Sequence, residues 1–248
     1  MLIVGGGYLA YVLCSVIPVD PLLSLLLVCP AAFTFGYVLQ RLVLTRLLTR
    51  GAEAALVASF GVMLLGQSVF TVLFTSSPTS LSASYGLLGF EILGVRVRVI
   101  EVIAFAFGIV LVAGVAALLH HTRFGSALQA AASDPATAST MGINVDHLYA
   151  VSFGLASAIA AVAGVIIGIG LSITPTAGLA YLTIGFTIVV LGGMGSMFGT
   201  LVAGVVVAAA QTFGGALFGP VYQMLTVYVL FILLLMLRPQ GFFGRAAV

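Results

Sequence analysis

Long apolar runs separated by short polar stretches make up most of the chain. A helix needs about 20 predominantly apolar residues to cross a bilayer, and most of the runs approach that length, although the first and the sixth are short. The pattern predicts an all-α polytopic transmembrane bundle of about seven or eight segments, folded as a single domain over residues 1–248. The eight runs are residues 2–17, 22–39, 54–75, 102–119, 148–171, 181–191, 200–217 and 222–237.

The polar segment, residues 122–146, is the most informative interruption of this pattern. Asp134 followed by Pro135 is typical of a helix N-cap and the first helical position after it. Gly142 suits the left-handed residue that follows a helix end. These signals predict a two-turn helix over residues 135–141, which is too short to be stable in water without packing partners.

Apolar and capping residues flank this two-turn helix on both sides. Phe124, Leu128 and Ala131 lie at helical spacing, so they predict an amphipathic segment that continues from the fourth apolar run. Asn144 and Asp146 are suitable caps for the helix of the fifth run. The polar segment is therefore predicted to be helix, break, short helix, break and membrane helix.

The composition supports a lipid-embedded chain. Hydrophobic residues make up 62% of the sequence and charged residues 6%, and the mean hydropathy is +1.32. Soluble domains carry about 25% charged residues. The chain is therefore predicted to be a polytopic membrane protein.

Every basic side chain is an arginine, and the grouping of the arginines predicts the orientation. Cytoplasmic loops carry an excess of Lys and Arg. Arginines follow the second, fourth and last runs, so these loops, including the polar segment, are predicted to be cytoplasmic. The external loop, residues 76–100, then lies outside, where alternating Val95, Val97 and Val99 predict a strand-like stretch. The cytoplasmic arginines are Arg41, Arg46, Arg50, Arg123, Arg238 and Arg245.

The sequence offers little support for chemistry carried out by this chain. No charged residue falls in the middle of an apolar run, which argues against an ion-coupled carrier. A Walker A loop requires a lysine, and the chain has none. Cys14 and Cys29 lie in apolar runs without metal-type spacing. An enzyme is disfavoured because no nucleophile, base or metal constellation is visible.

Two irregular stretches are candidates for a translocation path. The sixth run ends in a glycine cluster, which predicts a re-entrant or broken helix, and residues 172–178 contain a proline. Irregular backbone is tolerated at membrane depth only where protein or a cavity surrounds it. Plain helix packing through small residues is the open alternative. The candidate path residues are Thr174, Thr176, Gly192, Gly193, Gly195 and Ser196.

Several motifs in order along the chain resemble one family. They are RFGSALQAAASDPATASTMGINVD, ITPTAGLAYL, VVLGGMGSMFGTLVAGVVV and the terminal RPQGFFG. They are similar to the LivH/LivM-type permeases of branched-chain amino acid ABC transporters, with the LivH branch closer. The resemblance runs from about residue 5 to residue 244 and implies that the polar segment is the ATPase-coupling region. The residues that match its motif are Arg123, Phe124, Gly125, Asp134, Met141, Gly142, Ile143 and Asn144.

The resemblance also implies partners and a location. It implies a multi-pass permease of the bacterial or archaeal inner membrane that pairs with a second permease subunit. The resemblance favours a heterodimer over a homodimer. Two ATPase subunits bind on the cytoplasmic side and a solute-binding protein delivers substrate from outside. ATP and Mg²⁺ are used by the partner subunits, and this chain is expected to bind no cofactor, metal or nucleic acid. Branched-chain amino acids, other amino acids, amides and urea all fit as substrates.

One departure from the family pattern bears on the function. Family members usually begin with a further membrane helix and an NFAHG-like turn, whereas this chain opens at MLIVGGGYLAYVL, which resembles the following helix. A late start, a truncated gene and a shortened permease are three interpretations. A non-transporting remnant is therefore one alternative to an importer subunit, and a passive small-solute channel is another, because the apolar runs are neutral and rich in small residues.

Overall fold

The computed structural model describes residues 1–16, 20–48, 51–74, 78–81, 89–92, 95–193, 195–238 and 241–243. The described chain is almost entirely helical and divides into two compact units, Met1–Leu179 and Ala180–Val248. The all-α prediction is confirmed. The prediction of one permease domain over residues 1–248 stays a prediction.

The first unit contains eight helices and a two-stranded hairpin among its described residues. The second helix continues through a π-helical turn, Gln40–Leu44, before its last turn. The elements are α1 (Leu2–Val16), α2 (Pro21–Leu39), α3 (Thr45–Leu48), α4 (Ala52–Phe74), β1 (Gly89–Ile92), β2 (Val95–Arg98), α5 (Val99–His121), α6 (Arg123–Ser133), α7 (Pro135–Thr140) and α8 (Val145–Gly170).

The remaining helices follow after a short non-helical connection, residues 171–176. They are α9 (Ala177–Gly192), which begins in the first unit, and α10 (Met197–Phe218) and α11 (Gln223–Leu237) in the second, with a 3₁₀ turn at Pro220–Tyr222. The described parts of the eight predicted apolar runs lie within helices, apart from Leu171, which follows the end of α8. The predicted interruption at the sixth run follows α9, which is itself continuous to Gly192.

Length and composition allow many of these helices to cross a membrane. Among the described residues, five stretches are long and apolar enough, and three apolar helices are shorter. The chain is therefore a multi-pass membrane protein. The five stretches are Pro21–Leu48, Glu53–Phe74, Val99–His121, Val145–Gly170 and Met197–Phe218, and the shorter ones are Leu2–Val16, Ala177–Gly192 and Pro220–Met236.

A row of small residues on α8 lets α1 and α2 approach its backbone. A Cβ on Gly164 would lie 2.8 Å from the carbonyl carbon of Ile3, and one on Gly36 would lie 2.6 Å from the Cβ of Ser157. Small residues permit such close packing between membrane helices, where apolar side chains gain little by leaving lipid. The core around these contacts includes Ala10, Val28, Leu81, Ile100, Ala161, Val165 and Ile169.

The predicted external loop contains the hairpin and is joined to the end of α8. β1 and β2 are antiparallel, so the strand-like prediction is confirmed for β2, whereas Val99 already begins α5. Thr79 and Ile173 exchange backbone hydrogen bonds of 3.0 and 2.7 Å. The Arg98 guanidinium donates to the Gly170 carbonyl at 3.2 Å and pairs with Glu101 at 2.8 Å.

The second unit consists of most of α9 together with α10 and α11, and a short tail segment is folded against it. Leu191, Ala203, Val207 and Val227 form its buried core. The Phe242 N–H donates to the Leu191 carbonyl at 2.7 Å. This contact places the described tail residues beside the C-terminal end of α9.

Candidate functional site

A sharp break at Thr122 begins the polar segment. Thr122 is extended (φ −116°, ψ 154°), and its hydroxyl accepts a hydrogen bond from the Gly125 N–H at 3.2 Å, which caps α6. A Cβ on Gly125 would lie 2.5 Å from the carbonyl carbon and Cα of Leu119, so only glycine fits this turn. The prediction that the amphipathic segment continues from the fourth apolar run is therefore wrong, because α6 is a separate helix.

The apolar face of α6 is pressed against the start of α8, as the spacing predicted. Ala131 is buried with Leu148 and Ala138, and Phe124 and Leu128 pack against this cluster. The Tyr149 hydroxyl on α8 donates to the Ala131 carbonyl at 3.1 Å. Arg123 and the serines of α6 are exposed on its other side. The segment is thus held to α8 by one face and presents the other to its surroundings.

Asp134 caps α7 as predicted. Its Oδ1 accepts hydrogen bonds from the backbone N–H groups of Ala136 and Thr137 at 3.0 and 3.2 Å, and its Oδ2 accepts from the Thr137 hydroxyl. Hydrogen bonds from Thr137, followed by that from Ala136, stabilise the carboxylate and hold the pKa of Asp134 below its usual range. Asp134 is therefore ionised at neutral pH and acts as a fixed structural anion.

The exit from α7 exposes one large apolar side chain. α7 ends at Thr140, one residue earlier than predicted, and Met141 is 78% exposed. Gly142 has φ +84°, which confirms the predicted left-handed position. Ile143 turns back and packs against the cluster of Ala131, Ala138 and Leu148. Met141 therefore protrudes from a polar surface.

The next cap is also found where the sequence predicted it. The Asn144 side chain accepts from the His147 N–H at 3.0 Å, so α8 begins at Val145. Asp146 lies inside the first turn of α8 and is not a cap, which corrects that part of the prediction. A carboxylate there still interacts favourably with the helix dipole.

A polar cluster that the sequence did not predict lies beside this helix start. The Tyr37 hydroxyl is 3.0 Å from the His147 Nδ1. Arg41 donates to the Tyr37 hydroxyl and lies over its ring, 5.8 Å from the centroid. The i, i+4 spacing of Tyr37 and Arg41 on a helix was a weak local signal. Nothing local indicates His147, which is 110 residues away from Tyr37 in sequence.

The path candidates before α9 lie in a turn that leads into this helix. Thr174 is half-buried, its carbonyl accepts from the Ala177 N–H at 3.1 Å, and Pro175 is buried. Thr176 is exposed. This stretch follows Ile173, which pairs with Thr79, so it lies at the end of α8 that meets the predicted external loop. A role in a translocation path stays a prediction for both threonines.

The path candidates after α9 form a tight turn between two helices. Gly193 and Gly195 have φ +90° and +91°, and the Ser196 hydroxyl accepts from the Gly199 N–H at 3.1 Å and caps α10. A Cβ on Gly192 would lie 2.6 Å from the Thr200 nitrogen. This turn therefore shows the close packing through small residues that was the alternative to a translocation path. Contact of these residues with substrate stays a prediction.

The two groups of candidates flank α9. Thr174 and Thr176 precede its first turn, whereas Gly192 is its last residue. A helix of about 16 residues is about 24 Å long, so α9 holds its own two ends far apart.

Comparison with known proteins gives the chain its family. The family model described as branched-chain amino acid transport system / permease component matches residues 1–237. The high-affinity branched-chain amino acid transport system permease protein BraD of Pseudomonas aeruginosa is 28% identical over 256 residues, covering 98% of this chain and 83% of BraD. The corresponding LivH of Escherichia coli K12 is 36% identical over 132 residues, which is 52% of this chain and 42% of LivH.

An archaeal relative extends the similarity over nearly the whole chain. The probable branched-chain amino acid transport permease protein LivH of Methanocaldococcus jannaschii is 28% identical over 256 residues, covering 96% of this chain and 79% of the relative. No solved structure matches the chain. The match over residues 1–237 shows that this chain belongs to the permease component family of branched-chain amino acid transport systems.

Proposed function

We propose that this chain is the permease subunit of an ABC importer for branched-chain or related amino acids, and that its polar segment receives the movement of a partner ATPase. Family membership and the names of the relatives BraD and LivH support the substrate class. Two permease subunits, of which this chain is one, enclose the path as a heterodimer in the bacterial or archaeal inner membrane.

The exposed Met141 is the observation that carries the docking proposal. A flexible apolar side chain that is 78% exposed on an otherwise polar surface is unfavourable in water and suits contact with a partner. The backbone of this turn is hydrogen-bonded, because the N–H groups of Met141 and Gly142 donate to the carbonyls of Thr137 and Ser139 at 3.3 and 3.1 Å. The turn therefore sets the position of Met141 on this surface.

The contacts behind α7 provide a route for movement. Ala138 on α7 is buried against Leu148 on α8, and Tyr149 ties α8 to α6. A push on α7 would therefore move α8 as well, and α8 is packed closely against α1 and α2. Closure of the partner ATPases, which use ATP and Mg²⁺, would in this way switch the path between outward-open and inward-open forms. This chain would supply no catalytic group.

The remaining partners follow from the orientation. With the polar segment in the cytoplasm, two ATPase subunits bind inside and a solute-binding protein delivers substrate outside. Along the path, the exposed Thr176 and the half-buried Thr174 are candidates for polar contacts with an amino acid. The residues of the turn after α9 are proposed to set its local shape rather than to bind the substrate directly. They are Gly192, Gly193, Gly195 and Ser196.

Reconstitution with partner subunits tests the proposal. The chain would be co-expressed with a second permease and the ATPases, purified, placed in vesicles and assayed for ATP-dependent uptake of labelled leucine. Met141→Asp should abolish co-purification of the ATPases, because a charge replaces the apolar contact, whereas Met141→Leu should retain it. Flux without ATPases would instead support a passive channel, and absence of both binding and uptake would support a remnant.

A further inference from the structure

We infer that Tyr37 and His147 are positioning residues that transmit movement of the polar segment to α2, and that the π-helical turn of α2 is the hinge that responds. This inference rests on the proposed function. It concerns how α2 responds when the polar segment moves, and it therefore goes beyond the identification of the surface where the ATPase docks.

The polar cluster joins three side chains through hydrogen-bond contacts. An arginine only donates hydrogen bonds, so Arg41 donates to the Tyr37 oxygen. The Tyr37 hydroxyl oxygen lies 3.0 Å from the Nδ1 of His147, within hydrogen-bond distance. The cluster thus links α2 to α8, and the edge-on contact of the Tyr37 and His147 rings, 5.7 Å between centroids, adds to this link.

His147 belongs to the same body as the polar segment. Its backbone N–H is held by the Asn144 side chain, and the adjacent Leu148 is buried with Ala131 and Ala138. Movement of α6 and α7 therefore carries His147 with it. Between α8 and α2, the His147 side chain contacts the side chain of Tyr37.

The α2 side of the contact carries an irregular turn. The Thr45 N–H bonds to the Gln40 carbonyl, five residues back, which defines the π turn. Among the described residues, the buried Thr45 hydroxyl oxygen has no hydrogen-bond partner. A buried polar atom without a partner is costly, and a π turn inserted in an α-helix is often a functional position.

Arg41 connects the cluster to this turn directly. It is the second residue of the π turn, and its side chain is bonded to Tyr37. A displacement of Tyr37 by His147 therefore reaches the turn through one side chain. This side-chain link from the docking surface to the hinge lies alongside the close packing of α8 on α2.

Matched variants separate transmission from stability. Tyr37→Phe removes only the hydroxyl. His147→Asn places an amide atom where Nδ1 stands, whereas His147→Gln places its amide atoms where Nε2 stands, so the asparagine variant should keep the contact and the glutamine variant should lose it. Tyr228→Phe, at an exposed tyrosine of α11, is the control for loss of a hydroxyl.

The measurement is the number of leucine molecules imported per ATP hydrolysed by the complete complex in vesicles. An ordinary hydrogen bond changes an equilibrium between two states by about fivefold, so Tyr37→Phe and His147→Gln should lower this ratio by about fivefold while ATPase binding is unchanged. His147→Asn and Tyr228→Phe should keep the parent ratio.

The possible outcomes are distinct. An unchanged ratio in Tyr37→Phe and His147→Gln overturns the inference, as does a proportional fall in uptake and hydrolysis, which would indicate a purely structural contact. If the parent chain itself neither binds the ATPases nor imports leucine, the proposed function fails, and the inference fails with it.

Discussion

The close contact between α1 and α8 gives a prediction about glycine substitutions. The position of the glycine decides whether a Gly→Ala substitution raises or lowers the free energy of unfolding. Gly164→Ala adds one methyl group to α8. That carbon would lie 2.8 Å from the Ile3 carbonyl carbon and 3.0 Å from the Gly7 nitrogen, both of them backbone atoms that cannot rotate away. We therefore expect the two helices to separate and the free energy of unfolding to fall.

A second glycine in a membrane helix provides the matched control. Gly108 on α5 has no described atom within 4 Å of its added Cβ. Replacing a mid-helix glycine by alanine gains about 0.5–1 kcal/mol from reduced backbone freedom, and overpacking costs about 1–3 kcal/mol. Gly108→Ala should keep only the gain, whereas Gly164→Ala carries both terms. The two variants should therefore differ by about 1–3 kcal/mol.

Thermal unfolding of the purified chain in one detergent measures the difference. Tm should fall for Gly164→Ala and stay equal or rise for Gly108→Ala. If both variants shift Tm in the same direction by the same amount, the close approach of α1 to α8 is wrong.

Three further predictions concern polar side chains. In ¹³C NMR of labelled aspartate, Asp134 should titrate below the ordinary value of about 4, and Thr137→Val should raise its pKa. Because the folded pKa is lowered, the cap stabilises α7 fully above the unfolded pKa and is lost as pH falls through the folded pKa. Thr45→Val should raise stability by about 1 kcal/mol by removing an unpaired buried hydroxyl, whereas Thr45→Ser should not. Ser196→Ala should cost about 1 kcal/mol and Ser196→Asp much less, measured by Tm; unchanged stability with lost uptake would instead assign Ser196 to the path.

Local signals predicted the helices and most of their ends. The apolar runs marked all eight membrane-type helices. Asp134, Gly142 and Asn144 were found because each acts on backbone groups only a few residues away. Capping and left-handed positions depend on residue type and neighbours in sequence, so one chain is enough to locate them.

Features that depend on distant backbone were missed or only partly predicted. The break at Thr122 depends on Leu119 approaching Gly125, and a glycine before an alanine-rich stretch gave no unique indication of it. The π turn and the contact of Tyr37 with His147 exist because α2 packs on α8. The sequence did not predict that Ser196 caps a helix, because the glycines before it are compatible with both a cavity and a tight turn.

The uninterrupted length of α8 has a mechanical consequence. Asn144 begins it beside the polar segment, and the Gly170 carbonyl at its other end is held by Arg98. A straight helix of about 26 residues is about 39 Å long, so a tilt of about 5° around its middle moves each end by about 1.7 Å in opposite directions. Such a tilt would move the Asn144 end and the Gly170 end of α8 in opposite directions, so a displacement beside the polar segment has an equal and opposite counterpart at the contact with Arg98.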